Sequence, residues 1–297
     1  MKCGFVSVVG RPNVGKSTLI NEIIGIKVSI TSNKPQTTRN NIRGIYNDEE
    51  SQIVFLDTPG IHKPKNKLGK FLNKETYSSF DETDLIIFMV NAEEKLGKGD
   101  EFVLEKIKEE KEDRKVFLVI NKIDRIKKEE LINIINEYNK LYPFDEIIPI
   151  SAQKGKNIDE LLKTIKNYLP EGEKIYDEAY YTDKSVRFLI SELVREKVLR
   201  KTHEEVPHAV TCIVENYEES KTSIHIDVVI ISERDGIKKI LVGHAGKMIK
   251  EIGIEARKDI ENLVSKKVYL NLFVKTVNNW RDRDKYLKEY GYTIDNE

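Results

Sequence analysis

Hydrophobic residues in the first half of the chain gather in short runs, and amphipathic stretches separate them. The runs are FVSVV (5–9), NIRGIYN (41–47), QIVFLD (52–57), DLIIFMV (84–90), KVFLVIN (115–121) and EIIPIS (146–151). Several are apolar at successive positions, as strands are when a mostly parallel sheet is covered on both faces. Helical spacing marks the intervening KSTLINEII, LGKFLNKETYSSF, DEFVLEKIKEE, KEELINIINEYNKLY and NIDELLKTIKNYL. The alternation predicts an α/β domain over residues 1–172: a doubly wound, mostly parallel sheet with helices on both faces.

The rhythm breaks at LPEGEKIYDEAYYTD (169–183), where Pro170, Gly172 and mixed charges predict a linker, placed at 173–182. Beyond it, KSVRFLISELVREKVL has apolar residues at 186, 189, 190, 193, 194 and 198, one face of a helix. HAVTCIVENYEESKTSIHIDVVIISE alternates as a β-hairpin with a polar turn near 219–221. KMIKEIGIEARKDIENLV is helical, with Ile249, Ile252, Ala256, Ile260 and Leu263 on one face, and VYLNLFVKTV (268–277) is a last strand before a Tyr-rich helical tail. Helix, hairpin, helix, strand describes a smaller α+β domain over 183–297.

Length adds little beyond agreement: 297 residues suggest about two domains. Charge matters more. The net charge is zero, and a cut near 172 leaves 28 Lys+Arg against 27 Asp+Glu before it and 22 against 23 after it. Any nucleic-acid contact must therefore come from a local site rather than a basic domain. The longest apolar runs, such as LIIFMV, are far short of the roughly 20 residues that span a bilayer. The start, MKCGFVSVVG, runs straight into a strand pattern and has no signal-peptide architecture. Cys3 and Cys212 lack metal or disulfide spacing and are expected to be reduced, buried thiols of a cytoplasmic protein.

The candidate chemistry sits at the ends of the predicted strands. GRPNVGKS (10–17) fits G-x-x-x-x-G-K-[ST], directly after a strand and at the start of a helix, the context that motif requires. Its glycines let backbone N–H groups surround a β-phosphate, and the helix N-terminus adds a positive dipole end. Lys16 is placed to bridge β- and γ-phosphates and Ser17 to put its hydroxyl on Mg²⁺. The nucleotide-binding set is thus Gly10, Arg11, Pro12, Asn13, Val14, Gly15, Lys16, Ser17 and Thr18. NKID (Asn121, Lys122, Ile123, Asp124) ends another strand and argues for guanine. Asp124 can accept from N1–H and N2–H₂, whereas adenine would leave a carboxylate unpaired. Asn121 can tie the strand end to the phosphate loop, and Lys122 can lay its stem over the base. Ser151 and Ala152, after the next strand, can offer backbone N–H groups to guanine O6. DTPG brings Asp57, Thr58, Pro59 and Gly60 to the Mg²⁺ and γ-phosphate side. TSNKPQTTRNN (31–41) reads as a mobile loop able to close there, with Thr38 the first candidate ligand and Thr37 the second. Metal ligation is expected of Ser17, Thr38 and Asp57. The residue after DTPG, also in the nucleotide set, is Ile61, where Ras-like GTPases carry a glutamine that orients the attacking water.

The set GRPNVGKS, QTTR, DTPG, NKID and SA resembles the translation-factor-related bacterial GTPases. YYTDKSVRFLISELVREKVL, GHAGKMIKEIGIEARKDIENL and NLFVKTVNNWRDRDKYLKEYGY resemble the carboxy-terminal KH domain of the Era family of ribosome-assembly GTPases. The resemblance covers essentially the whole chain. It implies a P-loop GTPase domain followed by a KH domain, with Mg²⁺ as cofactor and GTP and GDP as substrate and product. It further implies binding of the single-stranded 3′ end of small-subunit (16S) rRNA, association with the 30S subunit during its biogenesis, and peripheral contact with the inner membrane from a cytoplasmic location. A monomer is expected. In related GTPases an asparagine at the position of Asn13 helps hold K⁺ against the phosphates, which would answer for Ile61; Asn13 otherwise shapes the loop. Catalytic work is then expected of Lys16, Thr38, Gly60 and Asn13.

GHAG (Gly243, His244, Ala245, Gly246) fits the G-x-x-G loop by which KH domains clamp a single-stranded backbone. Lys247 and Lys250 add charge, and Ile249 and Ile252 form either the groove floor or core. The pair between the glycines lacks the usual basic residue, which shifts phosphate grip toward Lys247. Lys238, Lys239, Arg257, Lys258, Lys266 and Lys267 either extend a basic patch or form solvated faces. His62, His203, His208 and His225 have no metal-ligand spacing. Trp280, Tyr286, Tyr290 and Tyr292 either stack on bases or pack the terminal helix. A rival function is a non-catalytic RNA-binding module with a structural nucleotide. A nucleotide kinase is disfavoured, since no acceptor site or lid pattern is visible.

Overall fold

A computed structural model describes residues 1–61, 64 and 66–292; His62 and the last five positions of the expected second domain lie outside the described residues. The chain forms two compact units. The first comprises Met1–Ser29, Thr38–Lys63 and Leu72–Asp183, and the second Ile30–Thr37, Pro64–Phe71 and Lys184–Glu297.

In the first unit, β1 (Lys2–Val9), β2 (Ile42–Asn47), β3 (Ser51–Asp57), β4 (Leu85–Asn91), β5 (Lys115–Asn121) and β6 (Glu146–Pro149) form one sheet in the order β2-β3-β1-β4-β5-β6. Only the β2–β3 pair is antiparallel. All seven residues of β3 and of β4 are buried, which explains their unbroken apolar runs. The helices are α1 (Lys16–Ile24), α2 (Lys67–Asp81), α3 (Lys98–Glu110), α4 (Lys128–Leu141) and α5 (Ile158–Tyr168). One core, around Val8, Leu19, Phe55 and Leu161, lies under one face of the sheet; another, around Val9, Phe88, Leu104 and Leu118, lies under the other. Chain direction through the sheet reverses at β1, which neighbours both β3 and β4. In open α/β sheets the crevice beyond the carboxyl ends of strands at such a switch point is where ligands bind.

Residues 173–182 do not hang free. They lie along the β2 edge of this unit, where Ile45 N–H donates to Tyr181 O (3.0 Å). The buried Gln52 amide oxygen accepts from the backbone N–H of Ile175 (2.7 Å) and Tyr176 (2.8 Å), and its Nε2 donates to Tyr176 O (2.8 Å).

The second unit carries α6 (Val186–Lys201), β7 (Val210–Glu219), β8 (Ser223–Ser232), α7 (Asp235–Val242), α8 (Lys247–Val264), β9 (Lys267–Thr276) and a short α9 (Asp284–Glu289). β8 pairs antiparallel with β7 and parallel with β9. The α8 face Ile252, Ala256 and Ile260 packs with Ile190, Val194 and Val198 of α6 over Ile226, Val228 and Ile230 of β8. Two features depart from the sequence reading. Helix α7 was not anticipated, because DGIKKILV holds only Ile237 and Leu241 at a buried spacing. Helix α6 is buried continuously from Leu189 to Leu199, so its charged face is covered as well, while Val186 is exposed. Trp280 is fully buried, donates from Nε1 to Ala209 O (3.2 Å) and lies against Tyr290 and Tyr292, so its packing role is the one observed.

Candidate nucleotide and RNA sites

The loop between β1 and α1 is shaped by its backbone. Gly15 has φ 109°, a left-handed value, and a Cβ there would lie 2.3 Å from Asn121 Nδ2. That approach is used: Asn121 Nδ2 donates to Val14 O (2.8 Å), fastening the end of β5 to the loop. Asn13 also has positive φ, at 66°. Lys16, the first residue of α1, turns its ammonium back into the loop and donates to Arg11 O (3.2 Å) and, more weakly, Gly10 O (3.4 Å). Its burial pulls its pKa down to about 8, against the pull of Asp57 in the other direction. Arg11 instead points away, to Asp100 (3.0 Å) and Glu94 (3.1 Å).

Around Asp57, at the end of β3, three hydroxyls converge. Its Oδ2 accepts from Ser17 (2.7 Å), Ser29 (2.5 Å) and Thr38 (3.2 Å), while Ser17 and Thr38 hydroxyls lie 3.0 Å apart. Its Oδ1 is buried with no hydrogen-bond partner. Burial pushes the carboxyl pKa up despite these donors and Lys16. A buried carboxylate oxygen without a partner is costly, and a hard dication bound by oxygens and phosphate would satisfy it. The residues therefore fit Mg²⁺. Among the described residues no group of three or more His, Cys, Asp or Glu could hold a metal, so hydroxyls and nucleotide oxygens must complete the shell. Ser29 was missed by the sequence reading. It sits in an irregular stretch and is held by Asn21, whose Oδ1 accepts from Ser29 N–H (3.0 Å) and whose Nδ2 donates to Ser29 O (2.7 Å).

Thr58 turns inward, donating to Val8 O (2.9 Å), and Pro59 O accepts from Thr76 (2.8 Å). Gly60 abuts the phosphate loop so closely that a Cβ would fall 2.9 Å from Pro12 N. Ile61 is 3% exposed and packs into the core with Val9, Phe80 and Phe88. Its side chain faces hydrophobic neighbours rather than water.

At the far end, Asp124 is exposed and accepts from Ser151 Oγ (2.5 Å), a bond that lowers its pKa. Lys122, at φ 67°, directs its ammonium to Glu93 (3.4 Å). Ile123 N–H donates to Ile150 O (3.2 Å). The expectation that Ser151 and Ala152 offer their N–H groups to guanine meets a different arrangement. Ala152 N–H donates to Asn121 Oδ1 (2.9 Å) and Ser151 N–H to Lys156 O (3.1 Å).

In the second unit, GHAG joins α7 to α8. Gly243 (φ 72°) leaves no room for a Cβ, which would lie 2.7 Å from Met248 Cβ, whereas Gly246 (φ 75°) has nothing within 4 Å of that position. Ala245 also has positive φ, at 51°. His244, Ala245, Lys247 and Lys250 are exposed; Ile249 is half-buried and Ile252 is core.

Residues 5–122 match the family model described as 50S ribosome-binding GTPase, and 205–281 the one described as KH domain. A crystal structure of Era in complex with MgGDPNP and nucleotides 1506–1542 of 16S ribosomal RNA aligns with a TM-score of 0.94 and 42% identity, covering 99% of this chain and 100% of that one. The chain belongs to the Era family. A variant of Aquifex aeolicus Era bound to GDP and AlF₄⁻ aligns equally well, again at TM-score 0.94, 42% identity and 99% and 100% coverage. The Era fold is thus a P-loop GTPase domain followed by a KH domain, and the GHAG turn lies within the segment that matches the KH model.

Proposed function

We propose that this Era-family chain is a GTP-hydrolysing switch that binds the 3′ end of 16S rRNA through its KH domain and assists small-subunit biogenesis. The carrying observation is the Asp57 cluster: one carboxylate oxygen accepts three hydroxyls and its buried twin has none. Such a site is built for a metal–phosphate pair.

In this reading Lys16 bridges β- and γ-phosphate oxygens, exchanging its bonds to the loop carbonyls for stronger charge-assisted ones. Ser17, Thr38 and Asp57 hold Mg²⁺, which when bound neutralises charge on the phosphate oxygens. The Gly60 N–H faces the γ-phosphate. Asp124, made firmly anionic by Ser151, reads guanine, with Asn121 keeping that strand end in register with the phosphate loop. Since Ile61 is buried, no side chain at that position aligns the attacking water; positioning and electrostatics supply catalysis. Asn13 is assigned to a K⁺ ion at the phosphates. The KH loop grips the RNA backbone through GHAG, with Lys247 and Lys250 supplying charge. No helix among the described residues is long and apolar enough to cross a membrane.

The test is phosphate release from GTP with and without Mg²⁺, with ATP as competitor, alongside a crosslinking map of bound RNA. Mg²⁺-dependent release resistant to ATP, with crosslinks at 243–250, is the expected result. Tight nucleotide binding with no release above a Lys16→Ala control, even with RNA and K⁺, would leave the nucleotide a structural role.

A further inference from the structure

Helix α3 opens on two residues that its apolar pattern does not require. Gly99 sits in the first turn, where glycine forfeits helix stability, and Asp100 beside it is only 3% exposed. An acid in the first turn suits the helix dipole, but it would do so equally from solvent; a buried one needs a partner. Both residues face Arg11. A Cβ on Gly99 would lie 3.0 Å from Arg11 Nε and 3.1 Å from its Cδ, so the side chain rests on bare backbone. Its Nη1 then donates to Asp100 Oδ2 (3.0 Å) and pairs with Glu94 Oε2 (3.1 Å). The two carboxylates are themselves held: Asp100 Oδ2 also accepts from Gly97 N–H (3.1 Å), and Glu94 Oε1 accepts from Asn91 Nδ2 (2.8 Å).

Arg11 belongs to the phosphate loop, which has neither helix nor strand between Val9 and Lys16. Asn121 fastens the second half of that loop at Val14 O (2.8 Å). The clasp on Arg11 fastens the first half. Two groups bear on that half: Lys16 Nζ donates to Arg11 O (3.2 Å), and Gly60 packs against Pro12, where a Cβ would fall 2.9 Å from the Pro12 nitrogen. We propose that Asp100 is a positioning residue for GTP hydrolysis: by clasping Arg11 across Gly99 it sets the stretch of loop on which Lys16 and Gly60 bear. The clasp lies wholly within the first unit.

This rests on Lys16 and Gly60 serving the γ-phosphate, so Lys16→Ala is the first arm and must lower single-turnover GTP hydrolysis. Asp100→Asn is the second. The amide keeps the size of the carboxylate and can still accept from Gly97, but it loses the charge that holds Arg11. Its hydrolysis rate should fall about tenfold while GDP affinity stays within about twofold, because a small misplacement costs rate and Asn121 still holds the second half of the loop. Arg11→Met should match that loss, and the double variant should lose no more than either single change. Gly99→Ala separates positioning from stability: alanine favours the helix, yet its Cβ crowds Arg11. Its melting temperature should hold or rise while its rate falls about threefold. A role confined to capping α3 would lower the melting temperature of Asp100→Asn and leave its rate parental. That result, beside an impaired Lys16→Ala, overturns the clasp alone, as does an additive loss in the double variant. An unimpaired Lys16→Ala overturns the γ-phosphate assignment and the clasp with it. Should Asp100→Asn not fold, Gly99→Ala decides, and a parental rate there overturns the proposal.

Discussion

The phosphate end of the first unit and the GHAG turn of the second are both glycine loops leading into a helix, yet they are built in opposite ways. Around Gly15 the neighbours are tightly engaged: Asn121 closes on the loop, Lys16 folds back into it, and three hydroxyls converge on one oxygen of Asp57. Around Gly246 the side chains of His244, Ala245, Lys247 and Lys250 are exposed, and nothing lies within 4 Å of where a Cβ would sit. The triphosphate of one nucleotide, a group of fixed geometry, rewards a rigid, buried cradle. A flexible single strand rewards a low wall that its backbone can approach, with charge nearby. The first site should therefore fail sharply when one group is lost, and the second should weaken by degrees.

The sharpest failure is expected at Asp124. Asp124→Ala removes the group that distinguishes guanine, and the GTP-over-ATP preference should fall by about 10³-fold or more by calorimetry, as when a hydrogen-bonding selector is lost. Next comes Lys16→Ala, expected to reduce kcat by roughly 10²–10³-fold in single-turnover hydrolysis, the scale for one preorganised donor. Asn13→Ala should abolish any advantage of K⁺ over Na⁺ in the same assay; equal rates in both salts for the parent protein would remove K⁺ from the account. In the second unit, Gly246→Asp meets no neighbouring atom at Cβ, though φ 75° strains any L side chain, and it sets a negative carboxylate where phosphate should lie. RNA affinity should drop about tenfold with GTP hydrolysis unchanged. Lys247→Ala should act most mildly, weakening RNA binding uniformly and lowering the salt-dependence slope by about one. If Lys247→Ala proved as damaging as Lys16→Ala, the contrast between a cradle and a wall would be lost.

The sequence carried most of the first site because its parts are local. Glycine spacing, a strand before and a helix after suffice to place Lys16 and Ser17, and α1 and α8 begin where the sequence pattern ends its glycine loops. Asp57 and Asn121 were readable because both end apolar strands. What was not legible depends on contacts between distant segments. Ser29 lies in no periodic pattern and acquires its place from Asn21 and Asp57. The covered charges of α6 look, in sequence, like an ordinary solvated face, since only the folded segment Ile30–Thr37 reveals what lies on them. The backbone donors of Ser151 and Ala152 were assigned from position alone, and the fold gives them to Lys156 and Asn121. Helix α7 escaped because eight residues with two buried positions are too few to establish a period.

Ile61 has a last implication. Its side chain is riveted into the hydrophobic layer beside Val9 and Phe88, and extracting it would forfeit about 2 kcal/mol of burial. Loss of the terminal phosphate should therefore leave residue 61 itself seated. The isoleucine that cannot steer water acts instead as an anchor for the end of the DTPG turn.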